Sequence, residues 1–204
     1  MRLVLLRHGR TAWNAEERYQ GHTDIPLDDV GRSQAAEAAV RLAGHHFDLA
    51  ASSPLVRARA TAESVVDGRG LDLVLHEEFK ETGGGTWEGL SFSEIRTQWP
   101  DDWTTWRSSH LDHGPLGGET PRQSGTRVIT AITRMVDEAE STLGTPEAML
   151  VTAHGNCLRA AATLLTGMDA AGMGRLERLR NGAAIVLEGS PQRPGRWRIE
   201  AYNA

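Results

Sequence analysis

Two histidines carry the chemistry. His8 closes the run Leu3-Val4-Leu5-Leu6-Arg7-His8-Gly9, and His154 closes Met149-Leu150-Val151-Thr152-Ala153-His154-Gly155. Imidazole can serve as nucleophile, base or acid near neutral pH, and which role it takes depends on what its second ring nitrogen is bonded to. Each run is short and apolar and stops at His-Gly, the pattern of a buried strand delivering an imidazole at its C-terminal end. In an open α/β sheet ligands bind at that end, because loops form a crevice there and the following helices point their N-termini into it. Strands from opposite ends of the sequence therefore predict one site with two histidines. A third pair, His113-Gly114, follows no strand, so the dipeptide alone marks nothing; two satisfied histidines at strand ends are the competing reading.

The elements that must position these groups alternate strand and helix. After the first strand, residues 10–21 read as a loop with a short helical turn. Asp24-Ile25-Pro26-Leu27 is extended by its proline, and Asp28 caps a helix through Gln34, Ala35, Ala38, Ala39 and Leu42, alanine-rich for close packing on a sheet. Phe47 to Ala51 forms a second strand. Ser53 as N-cap and Pro54 at the first helical position put Arg57 in the first turn of the next helix, where a guanidinium, free N–H groups and the helix dipole all favour phosphate. Taken alone, Arg57 reads better as a surface arginine near a helix start. Arg59, about 200° further round, faces water.

Leu71 to Leu75 gives a third strand, and Gly83-Gly84-Gly85 reads as a loop whose backbone approaches a neighbour, since it matches no dinucleotide fingerprint. Residues 86–119 form an insertion in which Trp99, Trp103 and Trp106, at i, i+4 and i+7, predict a helical stripe that packs, with a lid beside the crevice as a second use. Thr120-Pro121 opens a long helix with Val128, Ile129, Ile132, Met135, Val136 and Ala139 inward. Thr145-Pro146 turns into the fourth strand, and Asn156 is placed to cap the helix through Leu158, Ala161, Leu164 and Leu165. Ala183 to Leu187 and Trp197 to Tyr202 make a hairpin at the sheet margin. The predicted fold is α/β: a three-layer sandwich with a mixed, mostly parallel sheet of about six strands flanked by helices, carrying a small helical lid insertion, with residues 1–204 as one domain.

Bulk properties exclude several classes. The chain of 204 residues is long enough for one substantial core, its net charge is −5, and its Lys and Arg residues form no basic stripe of the kind nucleic acid demands. No segment approaches a membrane span or a signal-peptide core. The lone Cys157 fits a reducing cytoplasm and supplies neither a disulfide nor a metal cluster; it also fails as a Cys-x5-Arg phosphatase nucleophile, because Thr163 stands six residues on. A cytoplasmic protein with no nucleic-acid or membrane partner is expected.

The motifs assemble in order along nearly the whole chain. Leu6-Arg7-His8-Gly9-x-Thr11, Asn14, Gln20-Gly21-x-x-Asp24-x-Pro26-Leu27, Ser52-Ser53-Pro54-Leu55-x-Arg57-Ala58, Glu81 ahead of Gly85-x-Trp87-Glu88-Gly89, and Ala153-His154-Gly155 together resemble the histidine phosphatase superfamily, also called phosphoglycerate mutase-like. The resemblance implies that His8 accepts a phosphoryl group, that Arg7, Arg57 and His154 surround it, and that Glu81 donates a proton. It adds Thr11, Asn14, Gln20, Gly21 and Gly155 as substrate contacts. The chemistry asks for these types. Two arginines and a protonated histidine neutralise a phosphate dianion, His8 attacks through a neutral nitrogen whose partner nitrogen donates elsewhere, and a carboxylic acid serves a poor leaving alkoxide. No metal and no cofactor are called for. Glu77, Glu78 and Glu88 compete with Glu81, and Glu88 has the alternative of holding its loop.

The resemblance implies a phosphomonoesterase acting on a small phosphorylated metabolite, a sugar phosphate or phosphoglycerate type, through a phosphohistidine, and it leaves room for a homodimer. Hydrolase is favoured over the 2,3-bisphosphoglycerate-dependent mutase because Ser91-Phe92-Ser93 stands where the mutase pattern has Asn-Lys and further basic residues, although His154-Gly155-Asn156-Cys157-Leu158-Arg159-Ala160 is mutase-like. A non-catalytic phospho-ligand module is the third reading, opposed by retention of every charged core position. The segments from Glu81 to Leu90 and Trp197 to Ala204, with the tryptophan-bearing insertion, are similar to actinobacterial enzymes acting on glucosyl-3-phosphoglycerate. Arg10 departs from the usual Glu or Gln. It faces either the pocket mouth, where it would favour a second negative charge, or water.

Overall fold

The computed structural model describes residues 1–109, 111–142, 144–193 and 195–204. In chain order these build β1 (Arg2–Arg7), α1 (Ala12–Ala15), α2 (Asp29–Arg41), β2 (Leu49–Ser52), α3 (Val56–Val66), β3 (Leu73–Leu75), α4 (Phe92–Gln98), α5 (Pro100–Ser109), α6 (Pro121–Thr142), β4 (Ala148–Ala153), α7 (Gly155–Leu165), α8 (Ala170–Arg175), β5 (Ala184–Glu188) and β6 (Arg198–Tyr202). The six strands lie in one sheet in the order β3-β2-β4-β1-β5-β6. The first four in that order run parallel, and β5 and β6 close the margin antiparallel, as the expected hairpin.

Alternation along β1 sorts the core into two layers. Leu3 and Leu5 point to the face covered by α6 and α7, with Val128, Ile132, Leu158 and Ala161, while Val4 and Leu6 point to the face covered by α2 and α3, with Ala38, Leu42 and Val65. Alanines on α2 and α3 let those helices approach closely. At Gly125 of α6 a methyl group would meet Ala160 of α7 at 2.9 Å, so this crossing needs a residue without a side chain.

Several helix starts are local sequence facts. Asp28 accepts from Gly31 N at 2.7 Å, and Thr120 and Gln123 form a reciprocal cap ahead of Pro121. Two strand starts move: β2 opens at Leu49 and β3 at Leu73, so Phe47 and Leu71 serve the core from just outside the ladder. Among the described residues no helix is long and apolar enough to cross a membrane.

The insertion is held by aromatic packing. Tyr19, Trp87 and Ile95 are buried, and Phe92, Trp99, Trp103 and Trp106 pack on them, with Trp87 and Trp106 edge to face at 5.7 Å between centroids. Pro100 splits the stripe: Trp99 ends α4, and Trp103 and Trp106 lie on α5.

Candidate active site

Strand pairing explains the meeting of the two histidines. β1 and β4 are parallel neighbours with Arg7 opposite Ala153, so the next residue of each, His8 and His154, emerge side by side, ring centroids 5.0 Å apart. His8 Nδ1 lies 2.6 Å from Gly9 O, which makes it the donor and leaves the Nε2 lone pair available. Burial, then the charges of Arg57 and Arg7, hold His8 well below the usual imidazole range.

His154 is fixed from both sides: Arg57 Nε donates to its Nδ1 at 3.2 Å, and its Nε2 lies 2.8 Å from Ser53 Oγ. Burial, followed by Arg57, keeps its pKa well below the ordinary value. The protonated form expected from the sequence is that of a site holding a phosphate. Beside two guanidinium groups, a third positive charge has no compensation until an anion arrives, so the imidazole of the unliganded site is neutral.

Arg57 is fully buried in the first turn of α3, with Nη1 donating to Thr23 O at 2.8 Å and Nη2 to Gly21 O at 2.9 Å. The helix starts later than expected. Leu55 is its N-cap, and Ser53, two residues earlier, instead meets His154. Arg7, at the end of β1, donates from Nη1 to Leu179 O at 2.6 Å, while its buried Nε has no hydrogen-bond partner among the described residues. Burial first, and Arg178 next, lower its pKa to about 9. Gly155 leaves room for this guanidinium, since a Cβ there would stand 3.2 Å from Arg7 Nε.

Glu81 reaches the start of α7 from a distant loop. Its Oε1 accepts from Cys157 N at 3.0 Å and Thr82 N at 2.8 Å, and its Oε2 from Asn156 N at 3.2 Å. This corrects the assignment of Asn156 as cap: His154 holds the N-cap position with no side-chain bond, and the remote carboxylate satisfies the free N–H groups. Arg127 secures the segment behind it. Nη1 donates to Glu78 O and Lys80 O, Nη2 to Glu81 O, and the guanidinium grips Glu119 through Nε and Nη2 at 2.9 and 2.8 Å. The competing glutamates are occupied elsewhere: Glu77 with Lys80, Glu78 with Arg134, and Glu88 with Thr23 and the N–H groups of His22 and Gly84, the loop-holding role.

A cavity of about 510 Å³ opens beside this cluster, and Arg7, Asn14, Gln20, Gly21, Arg57, Glu81 and Gly155 all contribute to its wall, whereas His8 and His154 are buried and are not part of it. Thr11 does not. It is buried, with Oγ1 spent on Asn14 and Gln20 in the cap of α1. Arg10 also turns away, 2.8 Å from Asp28. Trp103 and Trp106 pack on Trp87, as expected, and also line the cavity. Residues not predicted from sequence are Asn181, whose Nδ2 donates to His8 O and to Asn14 Oδ1 at 3.1 Å each, together with Tyr19, Arg159 and Arg178 in the wall. Their partners lie too far along the chain for any local pattern to show. Among the described residues no three His, Cys, Asp or Glu side chains are grouped as metal ligands.

The sheet order, the paired strand-end histidines and the buried arginines define a known class, and the chain belongs to it: the Histidine phosphatase superfamily (branch 1) matches residues 3–204. In this family it stands with the metal-independent phosphoric monoester hydrolases. It is 31% identical to a glucosyl-3-phosphoglycerate phosphatase of Mycolicibacterium vanbaalenii, over 100% of this chain and 94% of the relative. A solved mycobacterial glucosyl-3-phosphoglycerate phosphatase in complex with VO3 superposes with TM-score 0.88 at 31% identity, covering 100% of this chain and 98% of that one. A 2,3-bisphosphoglycerate-dependent phosphoglycerate mutase of Brucella canis is 34% identical over 81% of this chain and 82% of its own length, which leaves the mutase as the weaker alternative.

Proposed function

We propose that the protein hydrolyses a small phosphorylated metabolite of the phosphoglycerate or sugar-phosphate type in two in-line transfers. In the first, His8 Nε2 forms a bond to phosphorus as the ester P–O bond breaks, and Glu81 in its acid form gives its proton to the leaving oxygen. In the second, Glu81 takes a proton from water as the oxygen attacks, the P–N bond breaks and inorganic phosphate leaves. Arg7 and Arg57 hold the equatorial oxygens, and His154 gains its proton when the dianion offsets the neighbouring guanidinium charge. Asn14, Gln20, Gly21 and Gly155 complete the phosphate pocket.

The observation that carries this reading is the state of His8: Nδ1 fixed on Gly9 O at 2.6 Å, Nε2 unengaged, and two buried arginines at its side. Residues 86–119 act as a lid over the cavity, supported by Trp103 and Trp106 in the wall. The glycerate-type substrate is supported by the name of the full-length phosphatase relative. A cytoplasmic setting is supported by the reduced, buried Cys157, and a homodimer is compatible with it.

Incubation with a radiolabelled phosphoester and acid-free quenching should leave an acid-labile label on the wild type and none on His8→Ala. A protein that never labels and never releases phosphate would be a binding module instead. The mutase reading, favoured by the match to the Brucella enzyme and by the segment from His154 to Ala160, is tested with 3-phosphoglycerate and a bisphosphoglycerate primer. Inorganic phosphate should dominate the products, and fast isomerisation with little phosphate would reverse the choice.

A further inference from the structure

The cavity holds more positive charge than one phosphate ester uses. Six arginines line it, namely Arg7, Arg18, Arg57, Arg107, Arg159 and Arg178, against two glutamates, Glu17 and Glu81. Arg18 is paired with Glu16 at 2.7 Å, whereas among the described residues none of the other five has a carboxylate oxygen within 4.0 Å. Arg7 and Arg57 take the phosphate in the proposed reaction, and two positive charges match one ester dianion. Arg107 is exposed on α5, and Arg159 and Arg178 stand near Arg7 with no charge to answer.

Arg159 is held by its side chain, and Arg178, which is exposed, only by its backbone. Arg159 lies one helical turn beyond Gly155 on α7, hence on the same face. Its Nη2 donates to Met173 O at 3.1 Å and Leu176 O at 2.9 Å, which holds the guanidinium, while its buried Nε has no hydrogen-bond partner among the described residues. Arg178 is anchored through its backbone: Asn203 Nδ2 donates to its carbonyl at 3.3 Å, and the next carbonyl, that of Leu179, accepts from Arg7. The Arg178 guanidinium itself makes no hydrogen bond among the described residues. Both charges act on Arg7, adding to the effect of burial in lowering its pKa. A half-buried guanidinium fixed without counter-charge, as that of Arg159 is, is unfavourable within the fold, and an incoming anion removes that cost, while the exposed Arg178 adds a second positive charge at the cavity wall.

We propose that Arg159 and Arg178 form a second anion subsite in the same cavity, which selects phosphomonoesters whose alcohol part carries a carboxylate. The proposal rests on the phosphatase reading above and assigns the residues that recognise the rest of the substrate. Arg10, the cation that the sequence offers for this purpose, is excluded by its pairing with Asp28.

The test compares kcat/KM for 3-phosphoglycerate and glycerol 3-phosphate, which differ by a carboxylate in place of a hydroxymethyl group. The wild type should prefer the carboxylate by about ten- to a hundredfold, the worth of a charge-assisted hydrogen bond or two. Arg178→Gln and Arg159→Gln should each cut that ratio about tenfold, mainly through KM for 3-phosphoglycerate. Arg178→Gln removes no hydrogen bond seen in the fold, so its ratio reports charge and not damage. Arg59→Gln on the exposed face of α3 should leave the ratio where it was. A wild type that favours the carboxylate less than about threefold, or that hydrolyses only p-nitrophenyl phosphate, overturns the subsite, as does a ratio unmoved by both variants. No phosphate release from any of the three compounds by the wild type overturns the phosphatase reading itself.

Discussion

Glu81 is the residue whose surroundings say most about its task. Its two oxygens accept from N–H groups at the start of α7, beside the histidine that the same helix carries as its N-cap, and the residue lines the cavity where the proposed reaction needs an acid. Glu81→Gln keeps a similar shape and loses the transferable proton. It should slow hydrolysis of alkyl phosphates by about a hundredfold or more, with a milder loss for p-nitrophenyl phosphate, whose leaving group needs less help. Equal losses on both substrates would assign the acid elsewhere. The histidines make a second prediction, in stability. Both have folded-state pKa values held well below the 6.5 of the unfolded chain, so the unfolded chain binds more protons as pH falls below about 6.5. Stability is therefore fully present above that pH and declines as pH falls towards the depressed folded values, by up to ~1.4 kcal/mol per pH unit for each histidine. Urea unfolding of His8→Asn between pH 6.5 and 5.5 should show a slope flatter by up to that amount, and an unchanged slope would mean that the folded imidazole takes up its proton normally.

Elements deliver these groups through two kinds of support. The histidines depend on the sheet itself, because the register of β1 with β4 alone sets their spacing. Glu81 depends on a clamp from α6: five hydrogen bonds from Arg127 tie the carbonyls of Glu78, Lys80 and Glu81 to Glu119, which also accepts from Gly83 N at 2.9 Å. Burial pushes the Glu119 carboxyl up, but the Arg127 hydrogen bond, the Gly83 N–H and the Arg127 charge outweigh it and leave its pKa below the ordinary value. Arg127→Met strands that carboxylate and frees the segment. It should cost about 3 kcal/mol in urea unfolding and lower kcat on an alkyl phosphate at least about tenfold. Arg127→Lys should recover little of the activity, since an ammonium cannot span three carbonyls and a bidentate carboxylate. Full recovery by lysine would reduce the clamp to a simple charge effect.

At the scale of the whole molecule, what could be read in advance divides by contact distance along the chain. The strands ending at His8 and His154, the helix cap at Asp28 and the opening at Thr120-Pro121 are set by neighbouring residues, and they stand where the sequence puts them. Ser53 and Asn156 look like caps by the same local rules, but α3 begins after Leu55 and a carboxylate 75 residues away serves α7. Thr11 belongs to the family motif yet spends its hydroxyl on Asn14 and Gln20 at the cap of α1, and the Thr11–Asn14 spacing is itself that of a capping box. Arg127, Arg159, Arg178 and Asn181 are ordinary polar residues until the fold brings remote backbone to them. The pairing of the aromatic insertion with the reaction cavity has a practical corollary. Trp103 and Trp106, two of six indoles in the chain, line the same cavity as Arg7 and Arg57, so the protein carries its own optical reporter. Titration with orthovanadate should change the intrinsic fluorescence saturably, and Trp106→Phe should remove most of that signal without abolishing the response of the remaining emission to denaturant.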